Sequence, residues 1–193
     1  MKCRLNGVKY QDTMKKTAYI TVVGDLSVRF DLERSLLLGP VVASGNSNKH
    51  MRYTHMTANS EAQVQDLLNS PAISGSSIVV PDRLFRKYCF FDAITHLPDL
   101  PGLKTMDIDP EKCTAQSLSL MLSVYLVQTV VFLVGYNIGD PRELSLLRRI
   151  AEYNGQTKFT YICNPPRTNR LDDLPNFFCD TFDKYREVIA RAK

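Results

Sequence analysis

Residues 113–164 read CTAQSLSLMLSVYLVQTVVFLVGYNIGDPRELSLLRRIAEYNGQTKFTYICN. Thr114 is a side-chain cap for a helix whose following residues, Leu118 to Leu126, are apolar almost all round. Such a helix packs on several sides. TVVFLV, residues 129–134, is a continuous apolar run that stops at Gly135, the pattern of a strand covered on both faces. Asp140-Pro141-Arg142-Glu143 then opens a helix. Asp140 suits the cap, Pro141 fits the first helical position, and Glu143 can reach back as in a capping box. Leu144, Leu147, Ile150 and Ala151 share its buried face, and Asn154-Gly155 supplies the stop. KFTYIC, residues 158–163, is the next strand, ended by Asn164-Pro165-Pro166. Strand, helix, strand is a βαβ unit, which makes its two strands parallel.

Outward from that unit the alternation repeats in the N-terminal half. AYITVV (18–23) stops at Gly24, and PVVAS (40–44) stops at Gly45, with DLERSLLL (31–38) between them as two turns of helix. Arg52 to Ala58 reads as a short strand, SEAQVQDLLNS as a helix capped by Asn59 or Ser60, and SSIVVP as a strand. Residues 82–94 place Leu84, Phe85, Tyr88, Phe91 and Ile94 on one helical stripe. LPDLPGLK is loop. Asn6-Gly7 between short β-prone runs suggests a hairpin or extension over residues 1–16. The expectation is one α/β domain over residues 1–193, a Rossmann-like, mostly parallel sheet of five or six strands with helices on both faces.

Composition narrows the functional classes. The chain has 193 residues, 44% hydrophobic and 23% charged, enough for one substantial core. A formal charge of +4 is compatible with an anionic ligand, a nucleotide or a nucleic acid, and requires neither. Cys3, Cys89, Cys113, Cys163 and Cys179 are far apart, with no CxxC pair and no Cys/His set at metal-ligand spacing. They read as reduced thiols of a cytoplasmic protein, with no metal centre. MKCRLNGVKYQDTMKK carries no apolar core of a signal peptide, and no run has the length and uniformity of a membrane span. GxxxxGK[ST], GxGxxG and GxSxG are all missing, which argues against P-loop, standard dinucleotide-fingerprint and hydrolase-elbow chemistry.

In a parallel sheet, ligands bind beyond the carboxyl ends of the strands. The residues there are Gly24, Asp25 and Ser27, then Asn46 and Asn48, then Gly135, Asn137 and Asp140, then Asn164 with Arg167 and Arg170. Glycines admit a ligand close to the backbone, and asparagines offer donor and acceptor together. Thr114, Gln116 and Ser117 open a helix, whose N-terminus attracts anions. Asp25 and His55 are the candidates for proton transfer, His55 because it follows the Asn-rich loop. Each has a plainer reading as turn former, cap or structural side chain.

In feature order, VVGDLS, VVASGNSN, TAQSLSLMLSVYL with VVFLVGYN, and ICNPPRTNRLDDLP together resemble the sialyltransferase-like and hydroxymethylpterin diphosphokinase-like α/β proteins. That resemblance implies a glycosyltransferase-like protein, holding a nucleotide or nucleotide-sugar donor near Gly24, Asp25, Ser27, Asn46, Thr114, Gln116, Gly135 and Asn137. The chain departs from the pattern in carrying no histidine after His96, where sialyltransferases carry their catalytic one. More locally, FLVGYNIGDPRELSLL resembles the Gly-Tyr-Ser-x-x-Asp-Pro segment of Sir2-like domains, which implies binding or cleavage of NAD near Asn137 and Asp140. A third reading is a non-catalytic, partner-binding module. A DNA acceptor would be met by Lys184, Arg186, Arg191 and Lys193 near the C-terminus. No oligomeric state is implied.

Overall fold

A computed structural model describes residues 17–25, 37–45, 47, 51–71, 75–163 and 171–192. In chain order these form β1 (Thr17–Val23), β2 (Val41–Ser44), β3 (His55–Thr57), α1 (Glu61–Leu68), β4 (Ser77–Val80), α2 (Asp82–Tyr88) and β5 (Ile94–His96). There follow α3 (Ala115–Leu126), β6 (Val127–Val134), α4 (Pro141–Tyr153), β7 (Lys158–Ile162), β8 (Phe177–Asp180) and α5 (Phe182–Ala192). The expected hairpin at Asn6-Gly7 and most of the expected helix at 31–38 lie outside the described residues.

All eight strands join one sheet in the order β5-β4-β3-β2-β1-β6-β7-β8, and every pairing is parallel. The expected class therefore stands, with a larger sheet than the five or six strands expected. One added strand is β5. The apolar stripe over 82–94 predicts a single helix there, but the helix ends at Tyr88 and Ile94 opens the strand. The other is β8, an edge strand with one neighbour.

The continuous apolar runs are explained by two cores, one on each face of the sheet. Ile20, Val22, Val131, Leu133 and Phe159 point to one face and pack with Leu118, Leu122, Leu147 and Ile150 of α3 and α4. Their neighbours Val23, Phe132, Val134 and Ile162 point to the other and pack with Val64, Leu67, Leu84, Tyr185 and Ile189 of α1, α2 and α5. Successive strand residues face opposite ways, so a strand covered twice must be apolar at every position. Two of the serines that interrupt α3 bond back to carbonyls of the helix. Ser119 donates to the Ala115 carbonyl at 3.1 Å and Ser123 to the Ser119 carbonyl at 2.6 Å. Thr57 ties β3 to the same turn, donating to the Ala115 carbonyl at 2.6 Å.

The C-terminal helix is anchored by one hydroxyl. Leu38 N–H donates to Tyr185 Oη at 3.0 Å, and Tyr185 Oη lies 3.1 Å from Thr21 Oγ1. Thr21 commits its own proton to the Leu38 carbonyl at 2.8 Å, so Tyr185 is the donor to Thr21. Tyr185→Phe leaves a buried N–H without its acceptor, and a loss of about 1–2 kcal/mol is expected in urea melts. An unchanged midpoint would mean that apolar burial alone holds α5.

Cys113, Cys163 and Cys179 carry thiols, whereas Cys89, expected to be reduced, is disulfide-bonded.

Candidate functional site

The chain winds outward from β1 to β5 and then returns through α3 to lay β6 against the other side of β1. The direction of winding reverses between β1 and β6, so their carboxyl ends flank a crevice of the kind where doubly wound sheets hold ligands. Val23 is level with Val134, which places Gly24 and Asp25 opposite Gly135, Tyr136 and Asn137.

Two glycines make this junction possible. Gly24 N–H donates to the Val134 carbonyl at 2.9 Å, extending the ladder by one bond. A Cβ on Gly24 would stand 2.6 Å from each of Gly135 O, Tyr136 Cα and Gln116 Oε1. Gly135 turns the chain out of β6 with φ of 64°, a conformation natural to glycine.

Gln116, in the first turn of α3 and fully buried, bridges the two strand ends. Its Oε1 accepts from Asp25 N–H at 3.1 Å and from Asn137 N–H at 2.9 Å. Its Nε2 donates to Glu143 Oε2 at 3.3 Å. The amide orientation follows from these partners, since two N–H groups require an oxygen and a carboxylate requires a donor.

Behind Gln116 lies a buried carboxylate. Glu143 accepts from Thr114 Oγ1 at 2.5 Å, Ser117 Oγ at 2.9 Å and Tyr136 Oη at 2.9 Å, besides Gln116. Burial, followed by the adjacent Glu143 carboxylate, pushes the Tyr136 phenol well above its usual value, so Tyr136 remains a donor at physiological pH. The expected reach of Glu143 back to the cap of α4 is replaced by this network. Asp140 caps α4 by itself, accepting from Arg142 N–H at 2.8 Å.

The expected site residues thus lie in several places. Gly24, Asp25, Gln116, Gly135 and Asn137 converge at the β1/β6 junction. Asp25 accepts a hydrogen bond from Ser44, at the end of the neighbouring strand β2. Asn137 Oδ1 accepts from the exposed Gly139 N–H at 3.2 Å. Thr114 and Ser117 stand behind the junction and serve Glu143, and Asp140 is a helix cap. Ser27, Asn46, Asn48 and Asn164, with Arg167 and Arg170, lie outside the described residues.

His55 is brought to a different place from Asp25. It opens β3, level with Val22, and its Nδ1 contacts Ser77 Oγ at 2.6 Å. Burial lowers its pKa below the ordinary histidine value. Asp25 and His55, the two candidates for proton transfer, lie two strands apart in the sheet, Asp25 beyond the end of β1 and His55 at the start of β3.

Two cavities lie elsewhere. One of about 160 Å³ is apolar, between Met121 and Tyr125 of α3, Ile150 and Tyr153 of α4, and Leu103 and Met106. One of about 570 Å³ lies beyond β4 and β5, where His96 Nε2 is 3.6 Å from Asp82 Oδ1. Among the described residues no group of three or more His, Cys, Asp or Glu is placed to hold a metal ion, and no helix is long and apolar enough to cross a membrane. On α5, Lys184, Arg186 and Arg191 each lie within 4 Å of an acid, Asp180, Asp183 and Glu187. Of the expected cationic end, Lys184 thus pairs with the last residue of β8, Arg186 and Arg191 pair with acids of α5, and Lys193 lies outside the described residues. No family model matches this chain, and no curated protein matches it.

Proposed function

We propose that the protein binds a nucleotide-type ligand, in the first instance a dinucleotide such as NAD, against the carboxyl ends of β1 and β6. One observation carries this reading: the sheet reverses its winding where Gly24, Asp25, Gly135 and Asn137 meet. The order 3-2-1-6-7-8 within the sheet follows the doubly wound dinucleotide-binding order, with two further strands at the β5 edge. The segment resembling Sir2-like domains supplies the β6 side of the crevice, including the Gly135 turn and Asn137.

Gln116 already satisfies the N–H groups of Asp25 and Asn137. A ligand therefore lies outside it, meeting the Asp25 carboxylate and the Asn137 side-chain amide. A carboxylate at the end of the first two strands suits a ribose or sugar hydroxyl, which keeps a nucleotide-sugar as the second reading. For glycosyl transfer, Asp25 is the base candidate that stands at the crevice itself.

The test is a thermal-shift series with NAD, mononucleotides and nucleotide-sugars. Ligand at about 100 times its dissociation constant adds about 2.7 kcal/mol, a rise in Tm of roughly 5–10 °C for a chain of this size. Asn137→Ala is expected to weaken binding about tenfold without lowering the Tm of the free protein. NAD alone raising Tm supports the dinucleotide reading, and a nucleotide-sugar alone the transferase-like one. No shift with any of them removes both and leaves the partner-binding module.

A further inference from the structure

The remaining chemistry-bearing pair lies at the β8 edge of the sheet. Cys163 follows the last residue of β7, and Cys179 is the third residue of β8. Their Sγ atoms are 3.2 Å apart although the residues are 16 apart in sequence. Cys163 is buried and Cys179 partly exposed. Tyr161 pairs with Cys179, and Cys163 N–H donates to the Asp180 carbonyl at 3.0 Å, so the two strands are in fixed register up to the thiols.

We propose that Cys163 and Cys179 form a reversible disulfide, with a peroxide as oxidant and Cys179 as the thiol oxidised first. The S–S bond is about 2.05 Å long, so the sulfurs must close by roughly an ångström. That movement is available because β8 is hydrogen-bonded on one side only. The Cys179 thiolate attacks a peroxide oxygen, forming an S–O bond as the O–O bond breaks, and hydroxide leaves. The Cys163 thiolate then attacks the Cys179 sulfur. The S–S bond forms, the S–O bond breaks, and a second hydroxide leaves. The two thiol protons neutralise the two hydroxides. One dithiol and one hydrogen peroxide give one disulfide and two waters. A thiol reductant reverses the change through a mixed disulfide.

Cys113 is the internal contrast. Burial and the carboxylates of Glu143 and Asp109 push its thiol up to about 11, and its Sγ is directed at the Asp109 carbonyl, 3.3 Å away. A thiol raised in this way is slow to attack peroxide. The crosslink would join residue 163 to residue 179 across the β7–β8 pair.

The experiment is stepwise hydrogen peroxide on the full chain, followed by alkylation of remaining thiols and peptide mapping. Expected is a peptide joining Cys163 to Cys179, two hydrogens lighter than its parts, in most molecules at about one equivalent of oxidant, with Cys113 still alkylated. Dithiothreitol should restore both thiols. In Cys163→Ser a sulfenic acid should accumulate on Cys179 and be trapped by dimedone. In Cys179→Ser, Cys163 should oxidise at least tenfold more slowly. Conversion of Cys179 to sulfinic acid while Cys163 remains alkylatable, or oxidation of Cys113 at an equal rate, overturns the proposal.

Discussion

Gly24→Ala is expected to cost about 3–5 kcal/mol, lowering Tm by roughly 10 °C. The reason is the close approach of two strands and a helix at one point. An alanine Cβ would stand 2.6 Å from Gly135 O and Tyr136 Cα, and at the same distance from Gln116 Oε1. Two of these are backbone atoms of the strand end beside it, and the third belongs to a side chain held by three hydrogen bonds. No flexible tip can move aside. Relief requires parting β1 from β6, an interior pair of the sheet, with buried side chains on both faces. The control is Gly155→Ala, where the nearest atom to a new Cβ is Glu152 O at 3.9 Å, and a change within about 0.5 kcal/mol is expected. Circular dichroism melts of the two variants decide the matter. Equal midpoints would show that the junction yields without cost and is no rigid seat for a ligand.

Most of this junction is legible in the linear chain, since Gly24 and Gly135 each follow a continuous apolar run and Thr114 and Asp140 each precede a helix. Both helix caps form as those residue types predict. What the chain conceals are relations between elements. Glu143 stands where a capping box would use it, and the three polar residues Thr114, Gln116 and Ser117 open an otherwise apolar helix. Each feature has a local explanation, so their pairing emerges only when α3 and α4 pack together. His55 shows a different limit. Its place after an Asn-rich loop suggests the binding edge, but it opens a three-residue strand, two strands away from β1. Proximity in sequence to a loop at one end of a sheet says nothing about which end of the next strand a residue occupies. The strands β5 and β8 are missed for want of length. Three or four residues cannot display a period, and the apolar stripe of α2 runs on into Phe91 and Ile94 as if the helix continued.

The buried carboxylate gives the second large effect. Glu143→Leu is expected to destabilise by about 4 kcal/mol, because it removes the acceptor of four side-chain donors at once. The cost stays below the sum of four separate bonds, since the three hydroxyl donors can turn toward one another or toward backbone carbonyls. The Gln116 amide has no such freedom. With Glu143 gone its Nε2 loses its partner, while its Oε1 remains fixed by Asp25 and Asn137. Glu143→Gln keeps the shape and one oxygen. Thr114, Ser117 and Tyr136 can each accept as well as donate, so the new amide can be satisfied, and a loss of only about 1–2 kcal/mol is expected. Urea melts should therefore rank wild type, Glu143→Gln and Glu143→Leu in that order, at similar m-values. The difference between the two variants isolates hydrogen bonding from removal of the charge, which both share. If leucine were as well tolerated as glutamine, apolar packing would be holding α3 against α4, and the carboxylate would have no part in fixing Gln116 at the crevice. If leucine alone also weakened nucleotide binding in the folded fraction, the network would be what keeps the two strand ends at the spacing a ligand meets.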